Sequence, residues 1–180
     1  MVSFREQYLR IRPIGEAGLS PRVDDLAAQE FYFVCRKGGS ETNSIPAAQA
    51  AFTVLRAWVK EYQLEGKIRY WLGQMPDEPN VTPAEEQRYH AGVIFKGHFQ
   101  PEDYMLGEVE KGNIPAGKWA IFRAIGPYEL LWQTWSAAFR DWLPASGYAL
   151  GQAPPYEVYV NDPQVVRPED AITDIYLPIR

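Results

Sequence analysis

One cysteine, Cys35, stands in 180 residues. No internal disulfide can form, and a reducing cytoplasm is the expected compartment. Histidine is almost as scarce, with only His90 and His98. A zinc site wants three or four ligands, so neither a metal nor any other cofactor is expected. Long apolar runs are missing as well. The longest are strand-length, which argues against a membrane span, and the opening "MVSFREQYLRIRPIG" lacks the apolar core of a signal peptide. Positive charge is short too: 18 basic residues against 23 acidic ones give a net charge of −5. That balance argues against a direct nucleic-acid partner, because phosphate binding needs a basic footprint. "RKGGSET" has neither the spacing nor the lysine of a phosphate-binding loop. Triads are assembled in space, and nothing in the order of residues favours a Ser-His-Asp or Cys-His arrangement.

What the chain has in plenty is aromatic surface, with six Trp and eleven Tyr. It also reads as one plan written twice. Residues 22–96 and 106–179 each run strand, glycine turn, amphipathic helix and two more strands. "FYFVCRKGG", "AAQAAFTVLRAWVKEY", "KIRYWLG" and "PDEPNVTPAEEQRYHAGVIF" make the first copy. "KWAIFRAIGPY", "ELLWQTWSAAFRDWL", "PPYEVYV" and "NDPQVVRPEDAITDIYLPI" make the second. Pro79 matches Pro163, and Val81 matches Val165. Two long copies are not a solenoid, which needs several repeats to bury its core. They predict a pseudo-two-fold α+β domain of duplicated βαββ units: two antiparallel sheets, one main helix each, and a ligand groove between the halves. Residues 1–21 stand outside the repeat as an N-terminal extension, and 22–180 form the single domain.

The local signals are specific. Val23–Arg36 reads as a strand broken around Ala27–Ala28, followed by a turn at Gly38–Gly39. Phe52, Leu55, Val59 and Tyr62 mark one face of the first helix, which Gly66 ends. Leu131, Trp135, Ala138, Phe139 and Trp142 mark the buried stripe of the second, which Pro144 stops. A short strand over Met105–Val109 joins the halves. In "YEVYV", Tyr156, Val158 and Val160 alternate with Glu157 and Tyr159. The expectation is that the first set lies under the helix and the second lines the groove. The repeat places Trp71 where Glu157 stands in the other copy.

The stretch "NIPAGKWAIFRAIGPYELLWQTW", then "APPYEVYVNDP" and "DAITDIYLPI", resembles the GyrI-like small-molecule-binding domain family, and "MPDEPNVTPAEEQRYHAGV" fits its first half. The resemblance covers about residues 22–179. That family includes stand-alone gyrase-inhibitor-like proteins and the effector-binding domains of AraC-type and multidrug-responsive regulators. It implies a groove for amphipathic aromatic ligands of the drug or toxin class, in a stand-alone sensor or sequestering protein. The acidic pocket residue of the family falls on Glu157. The resemblance also implies two alternatives: a hydrolase that opens strained, cyclopropane-containing alkylating toxins, and a protein protecting DNA gyrase. No helix-turn-helix precedes the domain, so this chain is not expected to bind DNA itself.

Each candidate has a plainer reading beside it. A strand glutamate is most often solvent-facing. A carboxylate in a partly dry groove has a raised pKa instead, and attracts a cation or serves as a general base. Tyr159 and Trp71 line the groove or pack within the sheet. Trp119 and Tyr128 flank the second glycine turn, where Tyr128 reaches over the groove or caps the helix. Trp132 is core or a gate, with core the better reading. For the hydrolase, Glu157 and Tyr159 are the catalytic candidates. His90 reads as structural and Cys35 as an inert core thiol.

Overall fold

The computed structural model describes residues 20–38, 45–78, 81–162 and 164–180. Residues 1–19, Gly39 of the first glycine turn with the loop to residue 44, and the matched prolines Pro79 and Pro163 lie outside the described residues. The fold is α+β, with antiparallel strand pairing and few helices. The chain forms two compact units: Ala28–Pro115 makes one, and Ala116–Arg180 joins the N-terminal stretch ending at Ala27 to make the other.

The break read at Ala27–Ala28 separates two strands, β1 (Arg22–Leu26) and β2 (Gln29–Lys37), and these belong to different units. After β2 come α1 (Ile45–Glu61), β3 (Ile68–Gln74), β4 (Arg88–Phe95) and β5 (Glu110–Ile114). β4 pairs with β3 on one side and β2 on the other, and β2 pairs also with β5. The linking strand thus lies at Glu110–Ile114 rather than Met105–Val109. Gly112 faces Phe31 across that pairing, and any side chain there would strike the Phe31 ring. Ala51, Leu55, Trp58 and Val59 of α1 cover Tyr32, Val34, Tyr89, Ala91, Val93 and Phe95. α1 stops before Gly66. Gln63, at φ 54°, takes the left-handed position, its N–H and that of Leu64 donating to the carbonyls of Lys60 and Val59.

In the other unit, β6 (Gly117–Ile125) precedes a helical stretch of three parts. These are α2 (Leu131–Ala137), a π-helical turn at Ala138–Trp142 and a last α-turn at Leu143–Ala145. β7 (Tyr156–Tyr159) and β8 (Ile172–Ile179) complete it. The pairing order is β1–β6–β8–β7. Leu131, Trp135, Ala138, Phe139 and Leu143 pack on Ala120, Phe122, Ile175, Leu177 and Ile179. The wide π turn carries more residues than an α turn, so the stripe ends on Leu143 and leaves Trp142 half-buried. Pro144 sits inside the helical stretch because the turn before it is already widened, which relieves the carbonyl that its ring would meet.

Candidate functional site

Glu157 of β7 stands directly across from Ile175 of β8, and Ile175 packs in the core under α2. Residues opposed in an antiparallel pair share a face, so the carboxylate points to the helix side. This corrects the expected orientation. Tyr156 and Val158 are the pair turned away from the helix, and Glu157 with Tyr159 is the pair turned toward it.

There the carboxylate is held at both oxygens. Oε1 accepts a hydrogen bond from Trp135 Nε1 at 2.7 Å, and Oε2 accepts one from the Tyr159 hydroxyl at 3.0 Å. The residue is only 9% exposed. Burial pushes its pKa up, while the bonds from Trp135 and Tyr159 pull it the other way. Both donors are neutral, so the negative charge is solvated by protein dipoles without a counter-ion supplied by either partner. Such a group is poised to meet a cation, to take a proton, or to accept a ligand's hydrogen bond.

Tyr128 joins this arrangement through its ring, which meets the Tyr159 ring edge-on at 5.3 Å. It is placed by the second glycine turn. Gly126 adopts φ 133°, a conformation that a side chain disfavours, and its N–H donates to Ala171 at 2.9 Å. The following turn, Tyr128–Leu130, leads directly into α2. Trp135 was legible only as one position of a buried stripe. The signal for more was its indole N–H, since a buried Trp seeks an acceptor for that group.

The remaining candidates are elsewhere. Trp119 lies on the opposite face of the strands from Glu157: it pairs with Pro178, meets Tyr156 edge-on at 5.2 Å, and Tyr156 stacks on Tyr176 at 4.5 Å. It therefore does not share a wall with the carboxylate. Trp132 is half-buried on α2 and stands outside the packed cluster. Trp71 belongs to the other unit, where it pairs with Val93 and faces α1 rather than away from it. Its ring lies 6.2 Å from that of Phe52, and the Arg56 guanidinium sits 4.4 Å from its centroid. Half-buried Trp71 thus presents an aromatic plane already engaged by a cation.

Other chemistry is quieter. His90 stacks on Phe33 at 4.1 Å, its Nδ1 lies 3.4 Å from Gln74 Oε1, and burial pushes its pKa down to about 4. Burial pushes the Cys35 thiol up. Among the described residues no trio of His, Cys, Asp or Glu is placed to hold a metal, and no helix is long and apolar enough to cross a membrane. A shallow hollow of about 400 Å³ between α1 and residues 105–109 is lined by Trp58, Tyr62 and Met105 among others, and contains none of the candidate residues.

Comparison with known proteins agrees with this architecture. The family model for the GyrI-like small molecule binding domain matches residues 19–180. A DNA gyrase inhibitor of Erwinia billingiae (strain Eb661) is 29% identical over 136 residues, covering 73% of this chain and 81% of that protein. The probable transcriptional regulator YgiV of Escherichia coli (strain K12) is 32% identical over 103 residues, covering 57% of this chain and 62% of its own. Among solved structures, SAV2435 bound to tetraphenylphosphonium superposes with a TM-score of 0.58 at 13% identity, over 90% of this chain and 94% of that one, a likeness of fold alone. With the family model matched over nearly its whole length, the chain belongs to the GyrI-like small molecule binding domain family.

Proposed function

We propose that this protein binds amphipathic aromatic small molecules and that Glu157 is the polar anchor of the site, in the manner of a drug or toxin sensor or a sequestering protein. The observation that carries the reading is a buried carboxylate held by Trp135 and Tyr159, with Tyr128 beside them. Ligand sites combine apolar and aromatic walls with a few fixed polar groups, and this cluster has that composition. The matched order of pairings, β5–β2–β4–β3 in one unit and β1–β6–β8–β7 in the other, supports the reading of a duplicated βαββ plan. Tetraphenylphosphonium, the ligand in the SAV2435 structure, is the first probe. Titrated against Trp fluorescence, it should saturate at roughly micromolar concentration, near −8 kcal/mol. Neutral triphenylphosphine oxide should bind more weakly. Glu157→Gln should erase that preference for the cation. Absence of saturable binding by any aromatic probe sinks the proposal.

A second reading, hydrolysis of strained-ring alkylators, rests on the Glu157–Tyr159 pair at 3.0 Å and on the raised carboxyl pKa. Glu157 takes a proton from water as the water oxygen bonds to a cyclopropane carbon. The ring C–C bond breaks, and its electron pair passes to the conjugated carbonyl oxygen. Tyr159, turned from Glu157, donates to that oxygen; one positioned base and one donor are each worth a hundredfold or more. Mass spectrometry of a cyclopropane-bearing alkylator decides it: Glu157→Gln abolishes turnover while binding stays within about tenfold. A role on gyrase, which the names of relatives carry, is read by supercoiling assays with and without a toxin; no effect in either removes it.

A further inference from the structure

Thr173 is the second residue of β8, and its pair lies two along the ladder from that of Glu157. It stands opposite Tyr159 on β7 and opposite Ala124 on β6. Two residues on, Ile175 packs under α2, so by strand alternation Thr173 shares the face that carries Glu157 and Tyr159. It is 1% exposed, and its hydroxyl meets no hydrogen-bond partner. A buried hydroxyl left unpaired is costly, and such a group in a folded protein calls for an explanation. A resident water would need two to four polar partners. The cross-strand neighbours offer little: the Tyr159 hydroxyl is donated to Glu157, and Ala124 has no polar side chain.

Resting on the reading of Glu157 as a ligand anchor, we infer that Thr173 is the second polar anchor of the same site and donates its hydroxyl to a carbonyl oxygen of the ligand. Diagonal neighbours on one face of a sheet lie roughly 7–8 Å apart, a span that a two- or three-ring system crosses. Glu157 only accepts hydrogen bonds when ionised, and Thr173 has one to give. The ligand class is therefore a flat fused-ring compound with an N–H or cationic group at one edge and a carbonyl at another. Half-buried Tyr159, which now holds Oε2, is the group that the ligand's N–H displaces.

A matched pair of probes tests this. Acridone and 9,10-dihydroacridine share a tricycle and an N–H and differ in the carbonyl. Wild type and Thr173→Ser should bind acridone about tenfold more tightly than dihydroacridine. Thr173→Val keeps the shape, loses the hydroxyl and should bind the two alike. Its melting temperature should equal or exceed that of wild type, because the variant removes an unpaired buried group. A fall of several degrees would mean that the hydroxyl has a protein partner, and overturns the proposal. If both probes bind, Glu157→Gln weakens both, and Thr173→Val keeps the acridone preference, then Thr173 is wrongly assigned while Glu157 stands. If neither probe binds wild type and tetraphenylphosphonium does not either, both readings fall together.

Discussion

Glu157→Gln should change how stability depends on pH, and the direction follows from burial. Desolvation raises the folded-state pKa of Glu157 above its ordinary value of 4.5, against the opposing pull of Trp135 and Tyr159. The folded protein therefore holds this proton more tightly than the unfolded chain. The stability linked to it is fully present below the ordinary value, falls as pH rises from there, and is lost by the time pH passes the raised folded value. In that window the wild type loses stability relative to the variant with a limiting slope of about 1.4 kcal/mol per pH unit. Glutamine keeps the shape: its carbonyl accepts from Trp135, and its amide donates to the Tyr159 oxygen once that hydroxyl rotates. The comparison thus isolates the charge. Urea unfolding of both proteins from pH 4 to 8 gives the difference curve, from which other titrating groups cancel. A flat difference, or one that favours the wild type more strongly as pH rises, would show that the two hydrogen bonds outweigh desolvation, and would refute the reasoning.

Three further outcomes follow from particular contacts. Trp135→Phe keeps the ring in the core but removes the donor 2.7 Å from Glu157, and should cost about 1.5–3 kcal/mol above the Glu157 pKa and less in acid, as read by urea unfolding at two pH values. His90 is neutral in the fold, with its pKa lowered from 6.5 to about 4, so its contribution is complete above pH 6.5 and is lost as pH falls toward 4. That loss should approach about 3 kcal/mol and vanish from the pH profile of His90→Phe. Gly112→Ala would place a Cβ 2.5 Å from Phe31 Cε1, and should destabilise by about 1–3 kcal/mol in chemical unfolding, since the buried Phe31 ring, stacked on Phe33, must move to admit it.

The residues themselves determined the local pieces of this protein. Helical spacing marked Leu55 and Val59 on α1 and Leu131, Trp135 and Phe139 on α2, because a 3.6-residue period shows directly in the order of side chains. The small residues Ala27 and Ala28 marked a break in the first strand run, and Gly126 marked a turn that needs positive φ. Alternation separated Glu157 and Tyr159 from Tyr156 and Val158. Only tertiary structure decided what each piece meets. A two-residue period is symmetric, so it names two sets without saying which faces the helix; the register of Glu157 on Ile175 settles that and reverses the expectation. β1 and β2 adjoin in the chain yet pair with β6 and with β4 and β5, because strand partners are chosen by long-range hydrogen bonding. Trp119 follows the glycine-turn pattern as well as Tyr128 does, but an odd step along β6 turns it to the other face. Trp135 and Glu157 are 22 residues apart, and neither sequence position hints at the other. Their bond exists because α2 folds back over β7, where a buried indole N–H and a buried carboxylate each satisfy what the other lacks.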